Sequence, residues 1–372
     1  MRRIVLFGAT GYTGRLVADA LVEGGAAPLL AARNEAAVTK LAGELGGLDS
    51  AVADVMRPGT LRELLDKDTV LVSTVGPFLR WGSTAVEAAI EAGCIYLDST
   101  GEPPFIREVF ERRDGPAKAS GAGLVTAFGY DFVPGNLAAA LALERAGQKA
   151  VKVAVGYFIT GGGSMKDAMS GGTAASVAGV LMAPAFAYRD GRVQTERSAK
   201  RVRSFEVKNK KLTGMSVGCS EHLSLPRVHP SLREVDVYLG WFGPASRAMQ
   251  GFSMLGGVPG VRAGSEKLTG RFVKGSTGGP GPEERAKSGS LIIAEAQDAA
   301  GNVLERVELR GVNGYTFTGK ILAWGAARAA DQGLEATGSL GPVEAFGLRA
   351  LEKGCREAGL EEADVLVKAA GW

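Results

Sequence analysis

Gly8-Ala9-Thr10-Gly11-Tyr12-Thr13-Gly14 spaces three glycines as G-x-x-G-x-x-G, directly after the apolar run Ile4-Val5-Leu6-Phe7. Early glycines let a backbone turn tightly and approach a bulky anion, and the last lets a helix pack closely on a strand. The helix that follows offers unpaired N–H groups and a partial positive charge, which is the chemistry of a pyrophosphate site. A glycine triplet alone is weak evidence. Between a strand and a helix, at the head of a strand–helix series, it is a dinucleotide fingerprint. The end of the next apolar run chooses the dinucleotide. NAD sites place Asp or Glu there for the ribose hydroxyls. This chain has Ala31-Ala32-Arg33-Asn34, without an acid and with a guanidinium suited to a 2′-phosphate. NADP is the expected cofactor.

Gly8, Thr10, Gly11, Tyr12, Thr13, Gly14, Arg33 and Asn34 form the first part of the expected cofactor site. Asp54, after the third strand, either reaches the adenine edge or caps a helix. Thr74, Val75, Gly76, Pro77 and Phe78 close the fourth strand, and Thr100 and Gly101 close the fifth. Ligands collect outside these carboxyl ends in a parallel sheet. Hydride transfer also needs a positioned acceptor and a source of a proton. Tyr130, Asp131 and Glu102 are the candidate catalytic residues, with turn or helix-cap roles as the alternative for both acids. The pocket is expected between two domains, bounded on one side by Pro77, Phe78, Thr100 and Tyr130.

Other chemistries find little support. No tyrosine has a lysine four residues later, so the short-chain dehydrogenase pair is missing. Cys94, Cys219 and Cys355 are scattered, which implies a reducing compartment and no zinc site. With His222 and His229 the only histidines, no metal site is expected.

These residues need a scaffold. Leu29–Ala32, Ala51–Ala53, Val70–Val72, Ile95–Leu97 and Leu124–Thr126 read as apolar strands alternating with amphipathic helices, an α/β Rossmann-type parallel sheet covered on both faces. After the helix Asn136–Ala146 the rhythm changes. Val151–Phe158, Arg201–Lys208, Val235–Trp241, Ser290–Gln297 and Val303–Leu309 read as strands of an inserted α+β domain. Thr316–Ala330 and Val343–Ala358 read as helices. The expected division is residues 1–146 for the dinucleotide domain, 147–314 for the second domain, and 315–372 for helices returning to the first. Ser276–Pro282 reads as a loop, and the apolar stretch Gly172–Tyr188, interrupted by Pro184, as a buried helix.

With 372 residues, 45% hydrophobic and a net charge of +3, the chain reads as a two-domain globular protein. A small-molecule substrate and a homodimer are the expected partners; nucleic acid and a stable membrane span are not. No signal peptide is expected, hence a cytoplasmic location. The basic run Arg197, Lys200, Arg201, Arg203, Lys208, Lys210 and Lys211 is either a solvated face or a landing patch for an acidic carrier protein or coenzyme A phosphates.

Several of these stretches resemble the saccharopine dehydrogenase-like reductases, especially the branch of trans-acting enoyl reductases. They are Phe7–Gly14, Ala32-Arg33-Asn34, Val75-Gly76-Pro77-Phe78, Tyr96–Glu102, Gly129–Leu137 and Gly171–Ser176. The resemblance implies a Rossmann domain with an inserted α+β domain, and an oxidoreductase moving a hydride between NADP(H) and a C=C (enoyl) or C=N (imine) bond. No arginine cluster matched to an amino-dicarboxylate stands out, which favours the enoyl reductase side. That branch usually reads Gly-Phe-Asp-Ser-Val-Pro-Ser where this chain has Gly129-Tyr130-Asp131-Phe132-Val133-Pro134-Gly135. The alternative is an NADP-binding sensor without turnover.

Overall fold

The computed structural model describes residues 1–161, 184–241, 246–247, 250–251 and 278–363. They divide into two compact units, Met1–Val133 with Gly314–Ala358, and Pro134–Asn313 with Gly359–Trp372. The first unit holds β1 (Arg3–Phe7), β2 (Leu29–Ala32), β3 (Ser50–Val52), β4 (Thr69–Ser73), β5 (Ile95–Asp98) and β6 (Gly123–Val125). They pair in the order β6-β5-β4-β1-β2-β3, extended beyond β6 by the two-residue strand Gly338–Ser339. Every pairing is parallel. Reversal of direction at β1 creates the switch point outside which such sheets bind dinucleotides. Strand β4 is buried at all five residues, as expected of a strand covered on both faces.

Three helices carry the site. Tyr12–Glu23 follows the glycine loop, Phe78–Ala92 follows β4, and Gly314–Gln332 returns from the far end of the chain. The returning helix lies close against Tyr12–Glu23, because a methyl at Gly319 would come within 2.9 Å of Leu16 Cβ. Glycine there sets the approach of the two helices.

The second unit holds β7 (Lys152–Gly161), β8 (Pro184–Arg189), β9 (Arg192–Arg197), β10 (Val202–Val207), β11 (Lys210–Ser216), β12 (Glu234–Leu239), β13 (Ser288–Gln297) and β14 (Val303–Val312). The order is β10-β11-β12-β7-β13-β14, closed by Leu360–Glu362, with β8 pairing to β12 and β9. Only β7 and β12 run parallel, so this sheet is mixed.

Several sequence expectations shift. The compact division falls after Val133 rather than after Ala146, because Gly135 and Asn136 bond to Tyr157 and Ser220 of the second unit. Pro184–Tyr188 belongs to strand β8, not a helix, and 162–183 lies outside the described residues, as does Gly171–Ser176. Strand β8 turns into β9 at Asp190-Gly191, both with positive φ (52° and 76°), a hairpin whose second strand is mostly polar. The last helix breaks at Gly347, where φ is 74°.

Candidate functional site

The glycine loop is built as its spacing demands. Gly8 takes φ of 90°, and its N–H bonds to Ala31 O of β2 at 2.8 Å. A side chain on Gly8 would meet Thr74 Oγ1 and Val75 Cγ2 at 2.8 Å, so the loops after β1 and β4 are in contact. A side chain on Gly14 would overlap the Gly8 carbonyl, whereas one on Gly11 would meet only Gly8 O, at 3.3 Å. Gly11 is the N-cap of the helix Tyr12–Glu23, and no side chain caps its first turn. A first turn without a side-chain cap and the unobstructed Gly11 fit a pyrophosphate. Thr10, Tyr12 and Thr13 are half-buried beside it, and Tyr12 packs edge-on to Tyr315 of the returning helix at 5.2 Å.

At the tip of β2, Arg33 is exposed and makes no ion pair or hydrogen bond with the described residues. Its neighbour Asn34 is the N-cap of Glu35–Glu44, accepting the Ala37 N–H at 2.9 Å. Asp54 Oδ1 accepts the Met56 N–H at 3.0 Å, and Oδ2 faces Arg57 at 3.8 Å. Asn34 and Asp54 therefore shape their own turns, which accounts for their presence independently of any ligand.

Glu102 makes the helix-cap contacts that the sequence left open as its alternative role. Its Oε1 accepts the Phe78 N–H at 2.8 Å and its Oε2 the Leu79 N–H at 3.0 Å. Both oxygens of this buried side chain cap the helix Phe78–Ala92 and anchor the Thr74–Phe78 loop. Phe78 itself turns inward onto Phe105, 5.7 Å away. Thr100 is buried, and its Oγ1 accepts the Glu102 N–H at 3.2 Å.

Asp98, at the end of β5, is the organiser that sequence reasoning missed. Oδ1 accepts the Thr100 and Ala127 N–H groups at 2.9 Å, and Oδ2 accepts the Thr126 hydroxyl at 2.8 Å. This one carboxyl ties the ends of β5 and β6 together, and burial pushes it up to about 6. Its only sequence signal was an acid at the end of an apolar strand.

The loop after β6 carries Tyr130 and Asp131. The Tyr130 N–H donates to Thr318 Oγ1 at 3.0 Å, and its ring packs on Gly314 and Phe317. Asp131 lies against Gly101, where a side chain would come within 2.8 Å of its Oδ2. Its Oδ1 is buried with no hydrogen-bond partner among the described residues. Burial alone pushes this carboxyl up to about 7. The first unit thus gathers Gly8–Gly14, Thr74–Phe78, Thr100–Gly101 and Tyr130–Asp131 at the carboxyl ends of β1, β4, β5 and β6. Among the described residues no group of three or more His, Cys, Asp or Glu side chains could hold a metal.

In the second unit Gly135 donates its N–H to the Tyr157 hydroxyl at 2.8 Å, and that hydroxyl donates to Glu221 Oε1 at 2.7 Å. A side chain at 135 would overlap both groups, a physical reason for glycine at that departure from the related motif. His222, buried beside Cys219 and pushed down to about 4 by burial, is a structural imidazole. The basic run is largely neutralised. Arg201 pairs with Glu196 and Asp236, Arg203 with Glu295 at 2.5 Å, and Lys200 and Lys211 with Glu196 and Glu206.

Comparison with known proteins agrees with this geometry. Residues 4–123 match the family described as saccharopine dehydrogenase NADP binding domain. That stretch is similar to the NADP-binding domain of that family. The trans-acting enoyl reductases of Mycobacterium ulcerans and Mycobacterium leprae are each 37% identical to this chain over 140 residues. Those residues cover 36% of this chain and 34% of each relative, about a third of either length. The apo saccharopine dehydrogenase (L-Glu forming) of Saccharomyces cerevisiae shares the fold, with a TM-score of 0.62 at 14% identity over 97% of this chain and 99% of the other. The NADP-binding domain thus accounts for the glycine loop and for the acid-free end of β2. No described helix is long and apolar enough to cross a membrane.

Proposed function

We propose that the protein is an NADPH-dependent reductase that adds a hydride and a proton across a polarised C=C bond. The observation that carries this reading is Asp131, a half-buried residue whose Oδ1 is itself buried without a hydrogen-bond partner among the described residues, in the loop that follows β6. Gly8, Gly11, Gly14 and the first turn of Tyr12–Glu23 hold the pyrophosphate, and Arg33 holds the 2′-phosphate. NADPH bound there supplies the hydride.

Reduction of an enoyl group needs a proton at the α-carbon as the hydride arrives at the β-carbon. Asp131 supplies that proton from its carboxyl group and regains it from solvent. A carboxyl held near 7 suits this role, because about half of it is protonated at neutral pH and the proton is readily given up. Glu102 and Thr100 fix the loops on either side, and Tyr130 walls the acid. An imine would be reduced as its already protonated cation, which makes less use of a neutral acid. The two enoyl reductase relatives support the same choice. The substrate is a small molecule or one carried on an acidic carrier protein or coenzyme A, and the working form is a homodimer in the cytoplasm.

The test is oxidation of NADPH, followed at its nicotinamide absorbance, with a panel of enoyl thioesters, enones and imines. Sustained turnover with an enoyl thioester or an enone is the expected result. Turnover confined to imines would overturn the C=C assignment, and turnover with nothing would overturn the reductase.

A further inference from the structure

The returning helix Gly314–Gln332 touches both halves of the proposed chemistry within the first unit. Towards the cofactor it places Tyr315 edge-on to Tyr12 and Gly319 against Leu16. Towards the acid it places Thr318, whose hydroxyl donates to Gly314 O at 2.8 Å and accepts the Tyr130 N–H at 3.0 Å. The Thr318 methyl fills the space beside Gly129, where an added carbon would meet Cγ2 at 3.0 Å. Beside the backbone bonds from Phe132 to Ala127 and from Val133 to Gly129, the loop Gly129–Asp131 is thus tied to a buried side chain 188 residues away in sequence.

We propose that Thr318 is a positioning residue, holding the Asp131 carboxyl against Gly101 through the Tyr130 amide. The inference rests on the reading of Asp131 as the proton donor. Thr318 is suited to the task for a geometric reason. Its hydroxyl is oriented by its own helix, as the bond to the carbonyl four residues back directs its proton there and leaves a lone pair for Tyr130. Losing that acceptor leaves a buried N–H unpaired, and the loop must shift to satisfy it. Any shift moves Asp131 out of its close contact with Gly101 and admits water to the carboxyl. The segment packed against Asp131 from β5 brings two further carboxyls, Asp98 and Glu102, and both are engaged by N–H groups. Tyr130 is the titratable neighbour on its own loop. The helix contributes Tyr315, turned to Tyr12, and Lys320, which is exposed.

The test reads the acid directly. Carbon-13 carboxyl NMR of the NADP-loaded protein is followed across pH, with the Asp131 signal identified by its loss in Asp131→Asn. Thr318→Val keeps shape and removes the acceptor, so the Asp131 midpoint should fall by about one pH unit or more, a tenfold change in acid dissociation. Thr318→Ser keeps the hydroxyl and should retain the parent midpoint, with NADP affinity unchanged in both variants. An unchanged midpoint in Thr318→Val, or a Ser variant displaced as far as the Val variant, would overturn the inference. Thr318→Ala replaces Val if the latter does not fold, with the same two outcomes. No substrate is needed for this reading, so failure of the reductase panel and failure of the positioning role are separate results.

Discussion

In the mixed sheet Glu196, Asp236 and Glu295 each pair with two cations, whereas Asp98 and Asp131 at the ends of the parallel sheet have no described cation within ion-pair distance. Glu295 is shared by Arg203 at 2.5 Å and Arg306 at 2.8 Å, and Asp236 by Arg189 and Arg201. There an adjacent guanidinium offsets part of the loss of water. Asp98 recovers part of its deficit through three hydrogen bonds, and burial still holds it up at about 6. Asp131 has no such help, so burial disfavours its charged form and the proton stays to higher pH. The same side-chain chemistry is thus held by cations in the mixed sheet, by backbone and hydroxyl donors at Asp98, and by neither at Asp131 Oδ1.

The comparison is broken most severely at Asp131. Asp131→Asn keeps the shape and removes the proton, and turnover should fall about 10²- to 10⁴-fold with NADPH affinity unchanged. In the parent, turnover should decline as pH rises above about 7, and this limb should vanish in the variant. Stability supplies an independent sign. Between about pH 4 and 7 folded Asp131 keeps its proton while the unfolded chain has lost it, so this group's contribution to stability falls as pH rises. His222, pushed down to about 4, works oppositely. Its neutral folded form resists the proton that the unfolded chain takes up below about 6.5, so stability is lost as pH falls. Asp131→Asn should therefore unfold at higher temperature than the parent at pH 8. A stable, fully active Asn variant would remove Asp131 from the chemistry.

A smaller effect belongs to Arg33, the exposed cation that no described acid engages. Arg33→Ala should weaken NADPH binding about ten- to a hundredfold, from loss of about 1.5–3 kcal/mol, and leave NADH nearly unchanged. Fluorescence titration of both cofactors gives the ratio. A variant with the parent's ratio would move the 2′-phosphate elsewhere on the domain.

The smallest effect is expected in the mixed sheet. Glu295→Gln leaves Arg203 and Arg306 short of a carboxylate, but both guanidiniums are about 30% exposed, so water screens part of the loss. Urea unfolding should register about 1–2 kcal/mol, with turnover within about twofold of the parent. Turnover lost at Glu295 and kept at Asp131 would invert the comparison.

Local chemistry determined a good deal of this protein. Gly8, Gly11 and Gly14 were legible because a tight turn, a close anion and a helix start lie within seven residues. The position of Arg33 at the end of β2 was legible because the apolar run Leu29–Ala32 stops there. The strands of the parallel sheet could be read because both their faces are buried. The hairpin β8–β9 could not, since most of its residues are polar or only partly covered. Other features were decided only in three dimensions. Glu102 could be read as an acid or as a helix cap, and only the fold brings the N–H groups of Phe78 and Leu79 to its two oxygens. Asp98 gave no motif, yet it joins two strand ends. Asp131 differs from both through what surrounds it rather than through its neighbours in sequence. A carboxyl's role depends on which donors, cations and waters reach its oxygens, and here those are set by contacts such as Gly101 and Thr318, distant in the chain.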